Sequence, residues 1–101
     1  MTIIVTGSFD LDPAKADDFV AAAVACMTAT REEAACESYT FTADLEVAGR
    51  YHVTELWASQ EGMDEHMASA HLAAFMGAMG GFGITAASLT KWDGGVPSKL
   101  M

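Results

Sequence analysis

Four side chains able to move protons, donate hydrogen bonds or stack on a ring fall within 17 residues of a 101-residue chain: Glu55, Trp57, His66 and His71. His66 is the first candidate for proton transfer or substrate hydrogen bonding, because an imidazole ordinarily changes charge near pH ~6.5. Glu55 shares a strand parity with Tyr51, Val53 and Trp57. A carboxylate among apolar neighbours must find a hydrogen-bond partner or stay protonated. Two roles are open to it: orienting His66 and raising its basicity, or bracing a dimer. Trp57 is either core packing or a substrate wall. His71 lies five positions after His66, about 140° round a continuous helix. That spacing differs from the i, i+4 pair that chelates a metal, so no metal site is expected. A helix break at Ser69 would place His71 in a first turn, from which it could swing toward the same pocket. Tyr39 and Tyr51 have the parity to line that pocket with hydroxyls, and Phe75 lies on the following helical stripe.

The elements that must hold these groups are readable from periodicity. Ile3, Val5, Gly7, Phe9 and Leu11 alternate with polar residues, which predicts a first strand over 2–11. Asp12-Pro13 predicts a helix start, and Phe19, Val20, Ala23, Val24 and Met27 carry the helical pattern to about residue 34. Period two returns over 37–45, a turn falls at 46–49, and a third strand runs over 50–58, which predicts an antiparallel hairpin. On its second parity His52 belongs to the other face of the sheet. Ser59 can cap the next helix. Met63, His66, Met67 and Ala70 follow at helical spacing, and Leu72, Phe75, Met76 and Met79 continue at shifted phase. A last strand is expected over 84–92. The order β-α-β-β-α-β predicts an α+β, ferredoxin-like antiparallel sheet with helices on one face. Residues 1–93 form one domain and 94–101 a tail. Ile4, Leu56 and Leu89 suggest that the second face of the sheet is covered by a partner sheet.

Composition narrows the class. A net charge of −9, with five scattered basic residues, argues against nucleic acid and against an anionic membrane surface. No run of about 18 apolar residues is present, so no membrane span is expected, and the N-terminus lacks the pattern of a signal peptide. Cys26 and Cys36 lack metal-ligand spacing and read as reduced thiols of a cytoplasmic protein. Hydrophobic content of 51% in so short a chain favours oligomerisation.

The pattern Glu55-x-Trp57-x-Ser59, then His66-x-x-Ser69-x-His71, then Phe75, resembles the antibiotic biosynthesis monooxygenase family, which includes quinol monooxygenases. The Pro-initiated helix and the passage Arg31-Glu32-Glu33-Ala34-Ala35-Cys36-x-x-Tyr39 extend the likeness over nearly the whole chain. Ala34-Ala35 stands where Pro-Gly commonly precedes the Cys. The resemblance implies a homodimeric α+β barrel and a cofactor-free oxygenation of a small aromatic quinol or anthrone-type phenol by O2. Such a site needs an apolar slot, a group to take a phenolic proton and donors for the developing oxyanion. His66 with Glu55 would handle the proton, and Trp57, Tyr39, Tyr51, His71 and Phe75 would contact substrate. The haem-degrading branch uses Asn, Trp and His at positions that hold Gly7, His66 and Met76 here, so haem degradation is not expected. Two alternatives stand beside the oxygenase: a non-catalytic ligand-binding or scaffolding dimer with a filled core, and an isomerase of a small oxygenated metabolite.

Overall fold

Alternation in the first strand decides which side of the sheet becomes the interior. In the computed structural model, which describes residues 2–101, β1 (Ile3–Asp10) buries Ile3, Val5 and Phe9. Two further strands follow, β2 (Cys36–Ala43) and β3 (Arg50–Trp57), and a last one, β4 (Ala86–Asp93), closes the sheet. Their order is β2-β3-β1-β4, and every neighbouring pair is antiparallel. Helix α1 (Ala16–Thr30), helix α2 (Gln60–Met67) and helix α3 (Ala70–Ala78) complete the expected ferredoxin-like α+β arrangement. Phe19 of α1, fully buried, is the hub of the core: the rings of Phe9, Phe41, Tyr51, Phe75 and Phe82 stand 4.6–6.4 Å from its own. Aromatic pairs at such separations add to the burial of their area. No helix among the described residues is long and apolar enough to cross a membrane.

Direct cross-strand pairs share a face of the sheet, so the register sorts the side chains. Phe41, Val53, Gly7 and Leu89 form one inward row across all four strands, and Tyr39, Glu55, Val5 and Lys91 form the next. Leu89 therefore belongs to the inner face, not to the outer face expected for it. A Cβ on Gly7 would stand 2.2 Å from the Ser88 carbonyl oxygen and 2.4 Å from a Leu89 methyl, so β4 can lean over β1 only where a side chain is missing. The outer face carries the row Thr40, Thr54, Thr6 and Thr90, flanked by Ile4, Leu56 and Trp92.

Two boundaries differ from expectation for a clear local reason. The first helix begins as a 3-10 turn at Pro13–Lys15, capped by the Asp12 carboxylate, and ends at Thr30 rather than near residue 34. There Glu33 N–H bonds the Thr30 carbonyl and Cys36 N–H bonds that of Glu33, while the Arg31 guanidinium reaches forward to the Tyr39 carbonyl at 3.1 Å. β2 stops at Ala43 because the Asp44 carboxylate takes the N–H groups of Glu46 and Val47, which leaves Leu45 fully exposed and outside the strand. The last strand starts at Ala86, two residues later than expected.

The break between α2 and α3 falls where the shifted phase placed it. Ser59 caps α2 through the Gly62 N–H, and Ser69 caps α3 through the Leu72 N–H. The Ser69 hydroxyl also donates to the His66 carbonyl at 2.6 Å, closing one helix as it opens the next. Gly62 has a packing reason of its own. A Cβ there would lie 2.0 Å from the Ala35 Cβ, so α2 rests directly on the turn that follows α1. Gly62→Ala is expected to lower stability by about 1–3 kcal/mol through overpacking, read as a lower denaturation midpoint; a variant as stable as the parent would refute this packing account.

Candidate active site

The charged turn after α1 brings an unexpected residue to the histidines. Glu33 Oε2 lies 2.8 Å from His66 Nδ1 and 2.9 Å from His71 Nε2. A carboxylate only accepts hydrogen bonds, so an ionised Glu33 makes both facing ring nitrogens donors. The neutral His66 ring then keeps its lone pair on Nε2, and that atom makes no hydrogen bond among the described residues. His66 is 1% exposed. Its ring packs against Trp57 at 4.7 Å and against Tyr39 at 5.2 Å. Carboxylate on one edge and aromatic faces around it hold the imidazole in one orientation.

Glu55, the orienting carboxylate suggested by strand parity, does another job. Its Oε1 accepts the Trp57 indole N–H at 2.9 Å, and no bond joins it to His66. The two residues lie two apart on β3, so both face inward and the indole reaches back along the strand. Burial pushes the Glu55 carboxyl above its ordinary value, and the Trp57 N–H pulls it partly back. Burial likewise pushes the Tyr39 phenol well up, with the Cys26 thiol and Glu55 adding to the effect. Cys36, beside Glu33, is raised mainly by burial too.

A cavity of about 200 Å³ opens between the inner rows of the sheet and the α2–α3 pair, walled chiefly by Phe41, Val53, Leu72, Phe75 and Leu89. His66 and Glu55 are the ionisable side chains among its lining, and Tyr39 borders it as well. The Tyr39 hydroxyl is turned to the Cys26 sulfur at 3.8 Å, so its ring rather than its oxygen is the better placed to meet a guest. The other expected contacts disperse. Trp57 is fully buried against His66 and does not line this cavity. Tyr51 has the right parity but lies farther along β3, stacked on Phe19 beneath α1, and lines a separate groove. His71 swings toward Glu33, as a first-turn residue can, and borders a second cavity of about 170 Å³ that shares Phe75 with the first. His52 sits on the outer face, bonded to Asp44 at 2.8 Å. Glu33 itself could not be picked from sequence: it is one of two adjacent glutamates at a helix end, and only the fold tells it from Glu32.

Comparison with known proteins gives a consistent picture. The family model for antibiotic biosynthesis monooxygenases matches residues 2–78. A Deinococcus radiodurans protein, itself only provisionally assigned to that activity, superposes with a TM-score of 0.90 at 24% identity over 98% of each chain. A Caulobacter crescentus protein with the same provisional assignment gives 0.88 at 26% identity, over 94% of this chain and 91% of its own. A Mycobacterium tuberculosis protein gives 0.87 at 22%, over 98% and 100%. No functionally curated protein matches the chain.

The raised Glu55 pKa sets a pH dependence of stability. The folded protein keeps this proton at pH values where the unfolded chain, with its ordinary value of 4.5, has released it. Glu55 therefore makes stability fall as pH rises from the unfolded value through the folded one. Glu55→Gln removes the charge and keeps an oxygen for the Trp57 N–H. It is expected to melt at or above the parent's temperature in mildly alkaline buffer and to lose less stability than the parent between acid and neutral pH. Thermal unfolding across a pH series checks this, and a variant markedly less stable at alkaline pH would contradict it.

Proposed function

The chain belongs to the antibiotic biosynthesis monooxygenase family, and from that premise we propose that it oxidises a small aromatic quinol or anthrone-type phenol with O2, using no resident metal, flavin or haem. The observation that carries this reading is the apolar cavity with His66 in its wall, the ring locked by Glu33 and free to accept a proton at Nε2. In this role His66 takes the phenolic proton. The resulting phenolate, an electron-rich enolate, passes one electron to O2, and the two radicals join in a carbon–oxygen bond. For an anthrone-type substrate the hydroperoxide so formed collapses to a carbonyl and one water, so a CH2 carbon and O2 become C=O and H2O. Every electron comes from the substrate, which is why the reading asks the protein only for positioning and proton transfer.

Cavity size bears on the substrate. At about 200 Å³ it is below the roughly 300 Å³ at the lower end of drug-sized ligand pockets, which favours a quinol of one or two fused rings over a three-ring anthrone. The slot beside His66 is not the filled core of a scaffold, but it is short of the roughly 300 Å³ of an ordinary ligand pocket, so its presence and not its volume favours the oxygenase. Isomerisation would use the same base and differs in needing no oxygen.

The reading includes a homodimer. Every residue of β4 is exposed in the single chain, and Leu89 and Trp92 are each 56% exposed. An uncovered edge strand bearing large apolar side chains is a surface that proteins ordinarily protect. The Thr row with Ile4, Leu56 and Trp92 beside it is a face on which a second sheet could pack. Trp92→Glu is expected to shift the protein from dimer toward monomer in light scattering after size exclusion; a parent that is monomeric at micromolar concentration would remove the dimer from the proposal.

Oxygen uptake decides the activity. Purified protein given a panel of hydroquinones and anthrones should consume O2 above the uncatalysed rate, and His66→Asn, checked for folding by circular dichroism, should lower kcat/KM by about 10²–10⁴-fold. Uptake at the uncatalysed rate with the whole panel, or turnover without uptake, would overturn the proposal.

A further inference from the structure

We propose that Glu33, His66 and His71 form a binding site for a divalent transition-metal ion of the Zn2+ class. The spacing of the two histidines excludes a chelate on a continuous helix, but the helix is not continuous. His66 comes from the last turn of α2, His71 from the first turn of α3, and Glu33 from the turn between α1 and β2. One ligand atom from each lies within 4.8 Å of the others. Ligands held about 2.0–2.2 Å from a Zn2+ ion in its usual tetrahedral arrangement stand roughly 3.4 Å apart. The carboxylate–imidazole separations of 2.8 and 2.9 Å are hydrogen-bond distances, so the three side chains would part by about half an ångström to admit the ion in place of the two ring hydrogens. Two imidazoles and a carboxylate are a donor set for Zn2+ and its neighbours rather than for Mg2+ or Ca2+.

Charge points the same way. The Glu33 side chain is only 19% exposed, yet no lysine or arginine pairs with it among the described residues. Arg31, two positions before it, spends its guanidinium on the Tyr39 carbonyl and the Met27 sulfur, and Arg50 is held by Asp10. The chain as a whole carries −9. A mostly buried carboxylate without a fixed counter-cation draws a positive charge, either a proton on the imidazoles or a metal between them. The two occupants compete, since a metal needs both rings neutral.

Entry of the ion has a chemical consequence for the cavity. The ring hydrogens facing Glu33 move to the far nitrogens, so His66 presents Nε2–H where it had a lone pair. Metal occupancy and proton acceptance by His66 therefore exclude one another, and the ion acts as a brake on the oxygenase reaction if that proposed activity is present. The site itself does not depend on that reading.

The test uses tag-free, chelator-treated full-length protein without substrate. Calorimetric titration with ZnCl2 should show one ion per chain with sub-millimolar affinity, weaker in mildly acidic buffer, and Co2+ should give visible absorption bands. Glu33→Gln and His71→Ala, each confirmed folded by circular dichroism, should weaken Zn2+ binding by about tenfold or more, while His52→Ala on the outer face should leave it unchanged. Absence of binding up to millimolar Zn2+, equal affinity in the Glu33 and His71 variants, or loss in the His52 variant would overturn the proposal. None of these readings involves oxygen uptake, so failure of the metal site and failure of the oxygenase are separate results.

Discussion

One serine hydroxyl organises the chemistry of this molecule. Ser69 donates to the His66 carbonyl and accepts from the Leu72 N–H, so the same atom terminates α2 and initiates α3. A cap of this kind is worth about 1 kcal/mol, a modest stabilisation for what it positions. Without the break, His66 and His71 would point about 140° apart. With it, both rings meet a single oxygen of Glu33. The turn at 31–35 is held by its own backbone bonds, and its Glu33 side chain has two partners because the helices change direction there.

The interior tolerates several polar groups because each is answered locally. The Trp57 indole takes one oxygen of Glu55, Cys26 lies within reach of both Thr30 and Tyr39, and Glu33 closes the cluster of histidines. No side-chain nitrogen or oxygen of a buried described residue is both shut away and unpartnered. Unmade bonds in such a setting cost more than made ones return. The aromatic shell around Phe19 and the polar pairs beside it are thus parts of one packing solution, and the cavity lies along the line where they meet.

Much of this was legible in the chain. Period two gave the inward parity of Ile3, Val5, Phe9, Val53 and Trp57, and a phase shift between Met67 and Leu72 gave the helix break. What periodicity reports is a face, not a position along it. Tyr39 and Tyr51 share a face, yet one touches His66 and the other lies under α1. Glu55 and His66 share a face, yet the carboxylate finds an indole two residues away before any imidazole. Glu33 was hidden for a different reason: its partners are 33 and 38 positions distant, and a charged helix end carries no periodic signal of what it will meet.

The bare position at Gly7 separates two properties that most pockets combine. Because Gly7 has no side chain, Leu89 of the uncovered edge strand lies over β1 and becomes part of the cavity wall while remaining 56% exposed. Walls made of core residues cannot change size without changing how well the protein folds. A wall made by a half-exposed leucine can. Substitution at this edge position would therefore retune what fits beside His66 while Phe19, Trp57 and their neighbours keep the packing that holds the site, and in the proposed dimer the same substitution would bear on the contact that covers β4.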